Sequence, residues 1–234
     1  MARTVAPDTV PRFGPEALKF LRALKRNNKR PWFHARKDQY EQYVRAPMLA
    51  LVERLAVDLR SIAPEVVVDP KNAIYRIYRD TRFSSDKTPY KTHIAASFPW
   101  RGLPKHEGAG LYFHVSPTEV WIGGGMYAPQ TSQLHAVREH IARNPRRLGS
   151  IVESVTFKRT VGALEGEQLQ RVPRGFPSDH EAANWLRYRQ FLAGREAPPR
   201  LVTSSKFYPT VLDTFRAVLP LIRFLNEPLV ARER

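Results

Sequence analysis

Residues 111–123 constrain the fold more than any other stretch of the chain. Leu111, Phe113 and Val115 alternate with Tyr112, His114 and Ser116, and a second alternating run follows at 119–123, with Pro117 and Thr118 between the two. Successive side chains of a strand point to opposite faces, so such a run has one apolar face and one polar face. A connection this short joins antiparallel strands only, because parallel neighbours need a crossover of a dozen or more residues. Two earlier segments, 74–80 and 92–98, also read with a period of two. Together they predict an antiparallel sheet of hairpin-connected strands.

Helical spacing surrounds this centre. Gly14 and Pro15 suit a cap and a first helical position, and Leu18, Leu21 and Leu24 recur at helical intervals up to Asn27. A longer pattern carries Tyr40, Val44, Leu51, Leu55 and Leu59, with Pro47 expected to kink it. Leu134, Val137 and Ile141 mark a helix after Thr131 or Ser132. Ser178 and Glu181 form a capping-box pattern ahead of Trp185, Leu186 and Phe191. Val211, Phe215, Val218 and Ile222 form a last helix, with a kink expected at Pro220. Short strands are expected at 155–158 and 168–172. The predicted class is α+β, an antiparallel sheet packed with several helices. It forms a single domain over 12–226, with a flexible lead-in at 1–11 and a tail at 227–234.

Hydrophobic residues make up 42% of the chain and charged residues 26%, ordinary proportions for a chain that buries a continuous core. There is no cysteine, which excludes disulfides, thiolate metal sites and cysteine nucleophiles. No signal-like run opens the chain and no stretch approaches the apolar length of a membrane span, so a cytoplasmic protein without membrane contact is expected. The histidines are scattered, and His135 and His140 are poorly placed to share a helix face. No metal and no cofactor are expected.

Charge is the outlier: 38 Lys and Arg stand against 22 Asp and Glu, a formal +16. The densest basic stretch is 76–93, where Arg76, Arg79, Arg82, Lys87 and Lys91 meet Asp80 and Asp86. Arginine forks and lysine point charges suit phosphate. With 74–80 as a strand, Arg76, Tyr78 and Asp80 share a face. His93, Ala95 and Ser97 share another, and Tyr112 and His114 a third. A polar sheet face carrying Arg76, Asp80, His93, Tyr112 and His114 follows if these strands are neighbours. The same charges would also serve to brace a loop by pairing with one another. Glycines 123–125 follow a strand and suit a bulge or sharp bend better than an anion nest.

Three motifs carry a family resemblance: 27–33 (Asn-Asn-Lys-Arg-Pro-Trp-Phe), 76–92 from Arg76 through Arg79-Asp80-Thr81-Arg82-Phe83 to Thr92, and 123–129 (Gly-Gly-Gly-Met-Tyr-Ala-Pro). With Arg171-Val-Pro173 and the following chain to about Asn226, the sequence resembles a bacterial and fungal family catalogued as a domain of unknown function. The resemblance implies one intact domain and marks 76–92 as its signature. It lends no activity, cofactor or catalytic residue.

The leading expectation is a basic pocket for a phosphate-bearing ligand, a nucleotide or nucleic acid. Arg76, Arg79, Arg82, Lys87 and Lys91 would hold the anion, and Tyr90, Tyr112 and His114 would flank it. One alternative is a metal-independent enzyme acting on a phosphoester or transferring a phosphoryl group, with His93 or Asp80 as general acid or base. Another is a non-enzymatic protein whose basic surface docks on a polyanion. Oligomeric state is not legible in the chain.

Overall fold

A computed structural model of the chain describes residues 10–104 and 107–230. The element order is α1 (Pro15–Arg26), α2 (Arg30–His34), α3 (Lys37–Tyr40), α4 (Ala46–Ile62), α5 (Pro70–Ala73), β1 (Ile94–Phe98), β2 (Gly110–Val115) and β3 (Val120–Met126). It continues with α6 (Thr131–Arg143), α7 (Pro145–Val152), α8 (Val155–Val161), α9 (Ala183–Leu186), β4 (Phe191–Ala197) and α10 (Phe207–Val230). The fold is the expected α+β class. Most of the expected lead-in, residues 1–9, and half of the expected tail, residues 231–234, lie outside the described residues.

The four strands form one antiparallel sheet in the order β1-β2-β3-β4. The alternation at 111–116 works as expected: Leu111, Phe113 and Val115 are almost fully buried, while Tyr112 and His114 face the other side. α10 packs on the apolar face, where Phe215 meets the rings of Phe98 and Phe113 at 5.8 and 6.5 Å. Asn226 ties the end of this helix to the sheet. Its side chain accepts from Ala109 N at 2.8 Å and donates to Ala109 O at 2.9 Å, as a neighbouring strand would.

Several expectations need correction. Residues 74–80 are not a strand. Ile74 bridges Ala96 and Tyr78 bridges Tyr90, and these isolated pairs differ in register by two residues, with a bend at Ile77 between them. That bend turns Ile77 into the core and sends Arg76 to solvent. Residues 155–158 belong to α8, capped by Ser154 Oγ accepting from Phe157 N. Segment 168–172 contributes one bridge, Gln168 to Tyr188. The helix expected from Ser178 to Phe191 shrinks to α9, because Phe191 opens β4 and pairs with Met126.

Neither proline breaks its helix. Ahead of Pro47 the backbone widens into a π turn at Glu41–Arg45, which accommodates a ring that would otherwise press on the carbonyl four residues back. Pro220 lies on the exposed side of α10, where water can satisfy the freed carbonyl. The glycine run at 123–125 forms no bulge. It is paired residue by residue with both β2 and β4.

Candidate functional site

The sheet face turned away from α10 forms the floor of a hollow of about 600 Å³. His93 lies just ahead of β1, which contributes Ala95 and Ser97, while β2 contributes Tyr112 and His114 and β3 contributes Trp121. Register explains the grouping: Ala95 is paired with His114, Ser97 with Tyr112, and His114 with Trp121. The small side chains of β1 leave the space that the aromatic ones surround. Tyr75, which the bend at Ile77 leaves on this side, stands edge-on to Tyr112 at 6.4 Å, and Tyr127 sits 75% exposed at the rim.

Glycine makes the Trp121 wall. A Cβ on Gly123 would meet the Trp121 ring at 2.8 Å and Ala193 O at 2.2 Å, and one on its strand partner Gly194 would meet the ring at 2.3 Å. The indole therefore lies over two adjacent backbones. Gly124 points the other way, toward Ile222 of α10, so the run lets a ring and a helix approach the same strand from opposite sides.

The polar groups differ in state. Burial and the neighbouring His114 and Lys91 push His93 down from 6.5 to about 4, so it is neutral at physiological pH. Its ring lies 5.4 Å from that of His114. Burial lowers His114 as well, against the opposing pull of Glu119, whose Oε1 is 3.4 Å from His114 Nε2. Lys91 lies on the hollow's edge with its Nζ 5.0 Å from the centre of the Tyr75 ring. Burial, and then Arg76, lower its pKa. Ser97 Oγ is buried and has no hydrogen-bond partner among the described residues.

The remaining basic residues of 76–93 lie elsewhere. Arg79 binds Asp86, donates to Thr88 Oγ1 at 2.6 Å and reaches Ser84 Oγ at 3.4 Å. Arg82 makes a two-point contact with Asp80 at 3.0 and 2.8 Å and lies over the ring of Phe83. Lys87 Nζ donates to Thr81 O at 2.9 Å. These contacts brace the loop 80–88, and they hold Asp80 and Asp86 at about 2. Arg76 is exposed. Tyr90 is a core residue, 1% exposed, with its ring stacked on Phe33 at 4.2 Å and its backbone held by both ends of the Asn28 amide. The motif residues Asn28, Phe33 and Tyr90 thus form one structural joint.

Of the residues singled out in the sequence, the structure brings Lys91, His93, Tyr112 and His114 to one hollow. Arg79 and Asp80 line a neighbouring one with Tyr90, Lys91 and His93. Arg76, Arg82 and Lys87 line neither of the two. Trp121, Tyr127 and Glu119 were not singled out. Trp121 could have been found from Gly123, two residues on and therefore on the same face.

Fold and hollow together define an α+β protein that buries one face of its sheet under a long helix and leaves a ring-lined concavity on the other. The chain belongs to the family described as "Conserved hypothetical protein (DUF2461)", whose model matches residues 16–224. Comparison with curated proteins and with solved structures finds no match. No helix among the described residues is long and apolar enough to cross a membrane, and no group of three or more acidic or histidine side chains among them is arranged to hold a metal ion.

Proposed function

We propose that the sheet hollow binds a small phosphate-bearing ligand with a planar ring, a nucleotide being the chemistry that matches both parts. The observation that carries this reading is the position of Lys91. It is the one cation of the 76–93 segment that lines the aromatic hollow, and it has no carboxylate partner among the described residues. Tyr112 and Trp121 offer ring faces, and the hollow's volume falls in the range of small-molecule sites. Ser97 Oγ–H and an imidazole N–H of neutral His93 add directional donors where a cation alone would give only charge. Calorimetric titration with adenosine monophosphate and with adenosine separates the two parts. Lys91→Ala should weaken the monophosphate at least tenfold and leave the nucleoside nearly unchanged. No binding of the monophosphate, or equal affinity in both proteins, rejects the reading.

One contact favours a second reading, metal-independent phosphoester hydrolysis at the same place. Glu119 accepting from His114 Nε2 leaves Nδ1 as the basic nitrogen, an arrangement suited to taking a proton from water. The water oxygen would then bond to phosphorus as the ester P–O bond breaks, the leaving oxygen keeping the electron pair. Neutral His93 would polarise the ester, while Asp80, ionised and bound to Arg82, takes no part in proton transfer. Hydrolysis of bis(p-nitrophenyl) phosphate should fall at least a hundredfold in His114→Gln. The hydrolytic reading fails if the wild type shows no turnover above background, or if His114→Gln retains it.

A further inference from the structure

A second hollow, of about 620 Å³, adjoins the first and shares Lys91 and His93 with it. Its other lining comes from Lys25 at the end of α1, Asn28, and the braced loop with Arg79, Asp80, Asp86 and Thr88. The segment 91–93 is therefore a partition with a ligand-sized space on each side, and the lysine on that partition fronts both. Two features suit the second space to another phosphate-bearing unit. Its carboxylates are already engaged, Asp80 by Arg82 and Asp86 by Arg79, so they present paired charge rather than free anions. Lys25 is exposed and has no carboxylate within ion-pair distance among the described residues.

We infer that the ligand crosses this partition, and that it is a phosphodiester-linked chain of at least two nucleotides, with one unit in the sheet hollow, its phosphate over Lys91 and the next unit against Lys25 and the loop. This rests on the nucleotide reading of the sheet hollow and extends it from a free mononucleotide to a strand end or dinucleotide. The geometry explains why Arg79 is held from three sides: a rigid wall loses little conformational entropy when a ligand settles against it. Phe83, 94% exposed at the tip of the same loop, is a ring on which a further base of a longer strand could stack.

The test compares thymidine monophosphate, the dinucleotide pTpT and a ten-residue oligothymidylate by fluorescence titration at fixed salt, in the wild type, Lys25→Glu and Phe83→Ala. The dinucleotide should bind at least tenfold more tightly than the monophosphate. Lys25→Glu should erase that gain without moving the monophosphate affinity, and Phe83→Ala should weaken only the ten-residue strand. Equal affinity for one and two units, or a dinucleotide gain that survives Lys25→Glu, overturns the extended ligand while sparing the nucleotide reading. Binding of none of the three overturns both.

Discussion

The stacked arrangement of Trp121 over Gly123 and Gly194 shows how much can depend on a missing side chain. An alanine at 194 would place a methyl 2.3 Å from the indole and 2.8 Å from Ile122 O, and the latter is backbone that cannot turn aside. Overpacking of this kind costs about 1–3 kcal/mol. Gly194→Ala should therefore lower the unfolding free energy by that amount, and the urea midpoint with it, and shift tryptophan emission to the red as the ring lifts from the sheet. An unchanged midpoint and spectrum would show that the indole does not rest on this glycine. At this scale the sequence was partly legible. Alternation placed Tyr112 and His114 on the polar face and Leu111 and Phe113 in the core, because a half-buried strand records its two environments in every second residue. The glycines suggest a bulge or sharp bend and instead pair on both sides within the sheet, because a residue without a side chain carries no record of which face needs the room.

Among the elements, the loop 80–88 owes its shape to charge pairing and little to burial. Arg79 reaches Asp86, Thr88 and Ser84 at once, Lys87 closes on Thr81 O, and Arg82 grips Asp80. Exposed ion pairs of this kind contribute little each, because solvent screens them. Arg79→Gln is accordingly expected to raise amide hydrogen exchange across 84–88 by up to about fivefold. The global unfolding midpoint should hardly move; exchange rates equal to wild type would mean that the arginine does not brace the loop. The sequence could not distinguish bracing from binding here, since both use the same residue types at the same spacing. β4 escaped notice for a related reason. Phe191 follows Trp185 and Tyr188 in steps of three, a helical interval, and the polar end of the strand, Arg195 and Glu196, lacks the β-branched residues that announce most strands. Pairing with β3 decided the matter where local pattern could not.

For the molecule as a whole, buried neutral histidines and tied carboxylates give stability two separate acid limbs. His93 titrates near its ordinary 6.5 when unfolded and at about 4 when folded, so between those values the unfolded chain binds more protons and folding weakens as pH falls. Burial lowers His114 and His140 also, with the same sign. Asp80 and Asp86, moved from 3.8 to about 2, contribute stability that is present above 3.8 and lost only as pH falls from there toward 2. Urea midpoints measured from pH 8 to 3 should be level above 6.5 and decline from 6.5 toward 4, and His93→Gln should make that first decline shallower. A profile flat to pH 4 would contradict the burial of a neutral imidazole. The formal +16, legible from composition alone, adds self-repulsion that grows along the same path as carboxylates lose their charge.

Single bridges stand beside the outer strands of the sheet: Ile74 on Ala96 of β1, and Glu165 on Leu192 of β4. A strand edge is where a foreign chain would add itself, copy upon copy. Here both borders are interrupted by the protein's own backbone, with Tyr75 N donating to Ala95 O and Glu165 exchanging both of its hydrogen bonds with Leu192. A sheet bounded in this way offers an incoming strand only short, broken lengths to pair with. The molecule can therefore keep one broad face of its sheet uncovered without offering its edges as a template for fibre growth.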